Sequence, residues 1–156
     1  MKSAIALGLI LWTLSFAWGD PPSRVKAEDD IREATFLYQF QHLTTQQVAN
    51  AKFHCLVYGD KEAGPSDQFL KRFAGHQPPI KNAALVYGSG DGYFTKGSHD
   101  RVLLFRVTHI KWVTDSEVEV GGGCLDGSST DSPHIYSLRK EKDKWVVTKD
   151  VKRQDS

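Results

Sequence analysis

Residues Asp100–Gly122 read DRVLLFRVTHIKWVTDSEVEVGG, and their pattern decides the fold. Leu103, Phe105 and Val107 alternate with their neighbours, which marks one face of a β-strand because successive side chains point to opposite sides of the pleat. The alternation then slips, and Ile110 and Trp112 fall on the opposite parity. All five can pack inward only if the strand bulges or bends near Thr108-His109. The other reading leaves both faces partly buried and needs no bulge. Thr114-Asp115-Ser116 then supplies a tight turn, and the chain returns as a second strand.

Towards the C-terminus, Gly121-Gly122-Gly123 reads as a loose end to that second strand, and Asp126 to Pro133 as an exposed return. HIYSLRKEKDKWVVTKDV is a further hairpin turning around Glu141 to Asp143, with Tyr136, Leu138, Trp145 and Val147 as core positions. Towards the N-terminus, Asp29 or Asp30 can cap a helix, since a carboxylate accepts the orphan amides of a first turn. Ile31, Ala34, Leu37, Tyr38 and Gln41 follow at helical spacing, with Phe40 beside them. Gln46 to Ala51 can extend a helix, whereas Phe53, Cys55 and Val57 read as a strand from Ala51 onward, ending at Gly59-Asp60. Ser66 caps a short second helix with Phe69, Leu70 and Phe73 on its apolar side and Gly75 at its end. Pro78-Pro79 leads into a short strand and a glycine turn. The fold class expected is α+β: a curled antiparallel sheet with an N-terminal helix and a short second helix packed on one face.

The first 19 residues, MKSAIALGLILWTLSFAWG, read as a secretory signal peptide. Lys2 supplies the charged start, Ala4 to Trp18 the apolar stretch, and Ala17-Trp18-Gly19 the small residues for cleavage near Gly19. At roughly 15 apolar residues the stretch is shorter than the ~20 that a spanning helix needs. No cysteine at the cleavage site offers a lipid anchor, and nothing later is apolar enough to span a bilayer. The expected localisation is therefore periplasmic or secreted, with no stable membrane insertion after cleavage. Residues 20–28 form a flexible lead-in, 29–152 one domain, and 153–156 a flexible tail. Removing 19 of the 156 residues leaves 137 and takes the 20 basic side chains to 19, against 19 acidic ones. That balance gives no electrostatic reason for a nucleic-acid partner. In an oxidising compartment the two cysteines, Cys55 and Cys124, are expected to form a disulfide.

No chemical motif is complete. The triple glycine lacks the GK[ST] of a phosphate loop, and Gly88-Ser89-Gly90-Asp91-Gly92 is too short a pattern. Asp126, Ser128, Thr130 and Asp131 are oxygen donors, but Asp131 and Ser137 stand where a calcium loop needs glycine and glutamate. The histidines (His42, His54, His76, His99, His109 and His134) form no HExxH or zinc spacing. No metal or cofactor is therefore expected. A thiol nucleophile at Cys124 would need His134 or His109 brought to it by the fold. No serine sits in GxSxG, and the paired carboxylates read as solvated faces or turns.

Arg32-Glu33-Ala34 with Phe36 and Tyr38-Gln39-Phe40, Pro65-Ser66-Asp67, Pro78-Pro79, Trp112 with Asp115 to Val120, and Trp145-Val146-Val147 carry a resemblance. With these the chain resembles small secreted bacterial proteins without an assigned biochemical role. The helix-then-sheet order also looks loosely like cystatin-like and NTF2-like folds, a likeness that transfers no active site. The function expected is a non-enzymatic exported domain binding a protein or small ligand in the cell envelope. Phe105, Val107, Ile110 and Trp112 are the ligand-facing candidates. The alternative is a small hydrolase or isomerase with a pocket under the first helix, His109 as base, and Arg106 or Tyr38 assisting.

Overall fold

The computed structural model describes residues 22–42, 51–127 and 132–153. The expected signal peptide, the segment before Ala51, the centre of the return after Gly127 and residues 154–156 lie outside the described residues. In chain order the elements are α1 (Pro22–His42), β1 (Phe53–Tyr58), α2 (Asp67–Leu70) with a 3₁₀ turn at Lys71–Phe73, β2 (Ile80–Lys81), a 3₁₀ turn at Ala83–Leu85, β3 (Val86–Ser89), β4 (Gly92–Thr95), β5 (Arg101–Thr114), β6 (Glu117–Leu125), β7 (Ser132–Glu141) and β8 (Lys144–Lys152).

The strands form one sheet in the order β2-β1-β5-β6-β7-β8, with β4 paired to the start of β5 and β3 to β4. The expectation of a curled, purely antiparallel sheet is corrected on two counts. β1 runs parallel to both β2 and β5, so the sheet is mixed. The order is also open, with β2 and β8 at its two edges. The reason is the long connection Gly59–Asp100, which carries the chain back to lay β5 beside β1. A parallel neighbour needs such a crossover, whereas antiparallel neighbours need only a hairpin. No apolar pattern within a strand records its direction.

The slip in β5 is a bulge. Val107 aligns with Gly122 and His109 with Gly121, leaving Thr108 as the extra residue. Leu103, Phe105 and Val107 are buried, and Ile110 and Trp112 pack against the same cluster beyond the bulge. The three glycines are therefore not the end of a strand; they lie within β6, which continues to Leu125. Two of them are sterically required. A Cβ on Gly121 would stand 2.3 Å from the His109 ring, and one on Gly122 would stand 2.3 Å from the Arg106 carbonyl oxygen and 2.9 Å from Gln39 Nε2. Through the space left at Gly122, Gln39 Nε2 donates to the Arg106 carbonyl oxygen at 3.1 Å.

That contact sets the rotation of α1. Its fully buried side chains are Ile31, Thr35, Phe36 and Gln39, whereas Leu37, expected on the inward stripe, is 43% exposed. The helix also begins at Pro22, so the lead-in expected over 20–28 is helical from there and Asp29-Asp30 is not its cap. Proline suits a first turn because its missing N–H has no helical partner there. Asp29 instead pairs with Arg32, and Asp30 with Arg72. Ser66 caps α2 as expected, accepting from the Phe69 amide at 3.2 Å. Phe69 and Phe73 join the cluster under α1. Lys142 and Asp143, both at positive φ, turn β7 into β8.

A second cluster occupies the other side of the sheet: Cys55, Val57, Val102, Leu104 and Leu125, with Val86 and Tyr93 packed on it. The expected disulfide is thereby corrected, since neither cysteine is bonded to the other. Cys55 aligns with Leu104, which aligns with Leu125, so Cys55 shares their face. Cys124 aligns with Phe105 and faces α1. Two thiols on opposite faces of one sheet cannot reach a bonding geometry.

Gly122→Ala should lower stability by about 2–3 kcal/mol through overpacking against backbone. Gly90→Ala, whose Cβ meets nothing within 4 Å, should stay within about 0.5 kcal/mol of the parent. Urea midpoints read at constant m-value check both.

Candidate functional site

With Gln39 turned into the sheet, one flank of α1 faces the edge strand. Ala34, Leu37, Tyr38 and Gln41 stand opposite Lys144–Val147, and the groove between them has a volume of about 600 Å³. Helical spacing puts these four on one flank, because residues three and four apart are neighbours on a helix. Trp145 meets Trp112 edge to face at 5.7 Å, which anchors the sheet side of the groove. Asp30 and Glu33 reach the same groove, and both carboxylates accept from Arg72 Nη1 at 2.7 Å.

Tyr38 leads from the groove to a polar cluster at the C-terminal end of α1. Its ring stacks on His42 at 4.0 Å and meets Tyr136 edge to face at 5.7 Å. Burial, reinforced by the Asp150 carboxylate, raises its pKa above the usual phenol value. Asp150 Oδ1 in turn accepts from His134 Nδ1 at 2.5 Å, across β8 and β7. A carboxylate only accepts, so His134 Nδ1 carries the proton of this bond, and the neutral tautomer so held has its lone pair on Nε2. The His134 ring stacks on Tyr136 at 5.6 Å with 7° between planes. Tyr136 is completely buried, and burial is the largest cause of its raised pKa, with the Gln39 amide acting in the opposite sense.

The residues singled out in the sequence fall elsewhere. Phe105 and Val107 are core, and Ile110 and Trp112 pack on that core beneath α1. Tyr38 alone of the expected catalytic trio reaches the groove. His109 is exposed at the bulge, its Nδ1 3.0 Å from Thr108 Oγ1. Arg106 lies 3.9 Å from Glu62. Both alternate with inward residues of β5 and so project from the face opposite α1, which separates them from Tyr38 by the sheet. Asp150 was missed because the last strand read only as a hairpin arm. The shared parity of His134 and Tyr136 was the available signal. Among the described residues, no three His, Cys, Asp or Glu side chains are grouped to hold a metal ion, and no helix is long and apolar enough to cross a membrane. Comparison with family models, curated proteins and solved structures finds no match to this chain.

A second histidine cluster is structural in character. His54 on β1 is 3% exposed and lies among Phe40, Phe105 and His76, with its Nδ1 3.1 Å from His76 Nε2. His54 Nε2 is buried without a hydrogen-bond partner among the described residues. Burial, and secondarily a charge on His76, lowers the His54 pKa to about 4, and burial lowers that of His76. Between that value and the ordinary 6.5, the unfolded chain binds a proton that the folded chain refuses.

Stability contributed by neutral His54 is therefore present above about pH 6.5 and lost as pH falls towards 4, amounting to on the order of 3 kcal/mol. In His54→Phe the drop in urea midpoint between about pH 7 and about pH 4.5 should shrink accordingly. An unchanged drop would show that His54 is not its source.

Proposed function

We propose that this chain is an exported, non-enzymatic domain that binds a small, mainly apolar ligand in the groove between α1 and β8. One observation carries the binding half: Leu37 stands 43% exposed on the groove flank of α1, one residue from the completely buried Phe36. The volume lies within the range of small-molecule sites, and such sites pair apolar walls with a few polar groups. Here Ala34, Leu37, Trp145 and Val147 supply the walls, and Tyr38, Gln41 and Glu33 the polar points. The export half is supported by Lys2, the apolar stretch that follows and Ala17-Trp18-Gly19. The ligand is accordingly one met in the cell envelope or outside it. Near-neutral charge supports a small molecule over nucleic acid.

Cleavage after Gly19 would leave Trp112 and Trp145 as the tryptophans, and their contact puts both in reach of groove occupancy. The neutral hydrophobic probe 1-N-phenylnaphthylamine should quench their emission saturably, at one equivalent. Leu37→Asp, a change at an exposed position, should weaken that binding about tenfold or more. Equal binding by parent and Leu37→Asp, or quenching without saturation, would overturn the groove as a ligand site.

A further inference from the structure

The polar cluster beyond Tyr38 contains a chemistry that groove binding does not use. β6, β7 and β8 are consecutive antiparallel strands, and each places one reactive side chain on the face under α1. Cys124 aligns with Ser132, Gly122 aligns with His134, and Tyr136 aligns with Asp150. Cys124 and His134 are thus diagonal neighbours on one face, a relation in which long and aromatic side chains reach one another. The position directly across from His134 is Gly122, which carries no side chain. A thiolate at Cys124 would add to the rise in the Tyr136 pKa, which places the two side chains near one another, and Tyr136 stacks on the His134 ring. Asp150 holds His134 by Nδ1, leaving Nε2 as the base.

We propose that Cys124, His134 and Asp150 form a nucleophilic thiol site that captures small disulfides. His134 Nε2 takes the Cys124 proton, and the thiolate attacks one sulfur of the disulfide R–S–S–R. A Cys124–S–S–R bond forms as the original S–S bond breaks, and the departing RS⁻ takes the proton back from His134 as RSH. Cys124 is oxidised to a mixed disulfide and one half of the reagent is reduced, so the step needs no other reactant. Capture is stoichiometric, which keeps it compatible with a non-enzymatic binding domain, and it stands independently of the groove.

Cys55 is the internal control. It is completely buried, and burial, with Glu62 adding, pushes its thiol up to about 12. A buried thiol of that kind is inert.

The probe is bis(2-hydroxyethyl) disulfide, small and uncharged, applied to the native protein without the first 19 residues, with the adduct read by mass spectrometry. One adduct should form, on Cys124, at neutral pH about tenfold or more faster than on N-acetylcysteine amide. Cys124→Ser should abolish it and Cys55→Ser should leave it unchanged. His134→Gln and Asp150→Asn should each slow capture about tenfold or more at neutral pH, with the rate recovering where a thiol ionises unaided. Those variants leave Tyr38, His42, Tyr136 and Lys152, which aligns directly across from His134, as titratable groups on this face. A rate no faster than the small thiol, an adduct on Cys55, or a loss in both variants that high pH does not restore would overturn the proposal. Should a variant fail to fold by circular dichroism, the native rate against the small thiol decides alone.

Discussion

The fold depends on one extra residue in one strand. Thr108 bulges from β5, and by doing so it keeps Leu103, Phe105, Val107, Ile110 and Trp112 on a single side of the sheet. An unbulged strand of this sequence would turn either the first three or the last two towards the wrong face. The bulge needs room on the partner strand, and Gly121 and Gly122 provide it. Their bare backbone also lets α1 approach closely enough for the Gln39 amide to reach the Arg106 carbonyl. That bond offsets part of the cost of burying the Gln39 amide, whose Oε1 is buried without a hydrogen-bond partner among the described residues.

The rest of α1 follows from that anchor. At 100° per residue, Tyr38 lies a little over a quarter turn from Gln39 and Leu37 nearly opposite. Tyr38 is thereby directed sideways to Tyr136 and Asp150, and Leu37 is left outward at the groove. On the other flank Phe36 and Phe40 meet Tyr58, Phe69, Phe73 and Phe105 in edge-to-face and stacked contacts. One flank of the helix is therefore committed to an aromatic core and the other is left for recognition. The same anchor serves both.

What the sequence disclosed was what periodicity records. The parity slip at Thr108-His109, the turn at Asp115, the Ser66 cap and the hairpin at Lys142-Asp143 are local patterns, and each has a local physical cause. Strand direction is not local, so the parallel pairing of β1 with β5 was invisible. Nor could an apolar stripe place Thr35 and Gln39 at the centre of burial: Thr35 donates to the Ile31 carbonyl one turn back, and Gln39 to a carbonyl 67 positions away. The glycines misled for a related cause: they resemble a flexible end, yet their role is steric and set by a neighbouring strand. The disulfide expectation failed on parity, because the pairing register alone decides which face a cysteine takes. For the candidate site, Tyr38 and the possibility of Cys124 with His134 were readable, while Asp150 was not.

The His134–Asp150 pair is hard to account for by stability alone. Taking a carboxylate out of water costs on the order of several kcal/mol even after the protein relaxes around it, and well-packed apolar replacements of buried polar pairs are often neutral or stabilising. With side chains only 11% and 18% exposed, these two bear much of that cost. The neighbouring Gln39 has a packing explanation in the bulge, and His54 with His76 fills a space among aromatic rings. Asp150 also receives the Tyr38 hydroxyl, and it sits near the end of β8, which is an edge strand among the described residues. What the pair does accomplish is to fix an imidazole tautomer beside Cys124 on the same face. That weighing favours a chemical role over a packing one, and it locates the distinction in a measurable property: the reactivity of one thiol relative to the other.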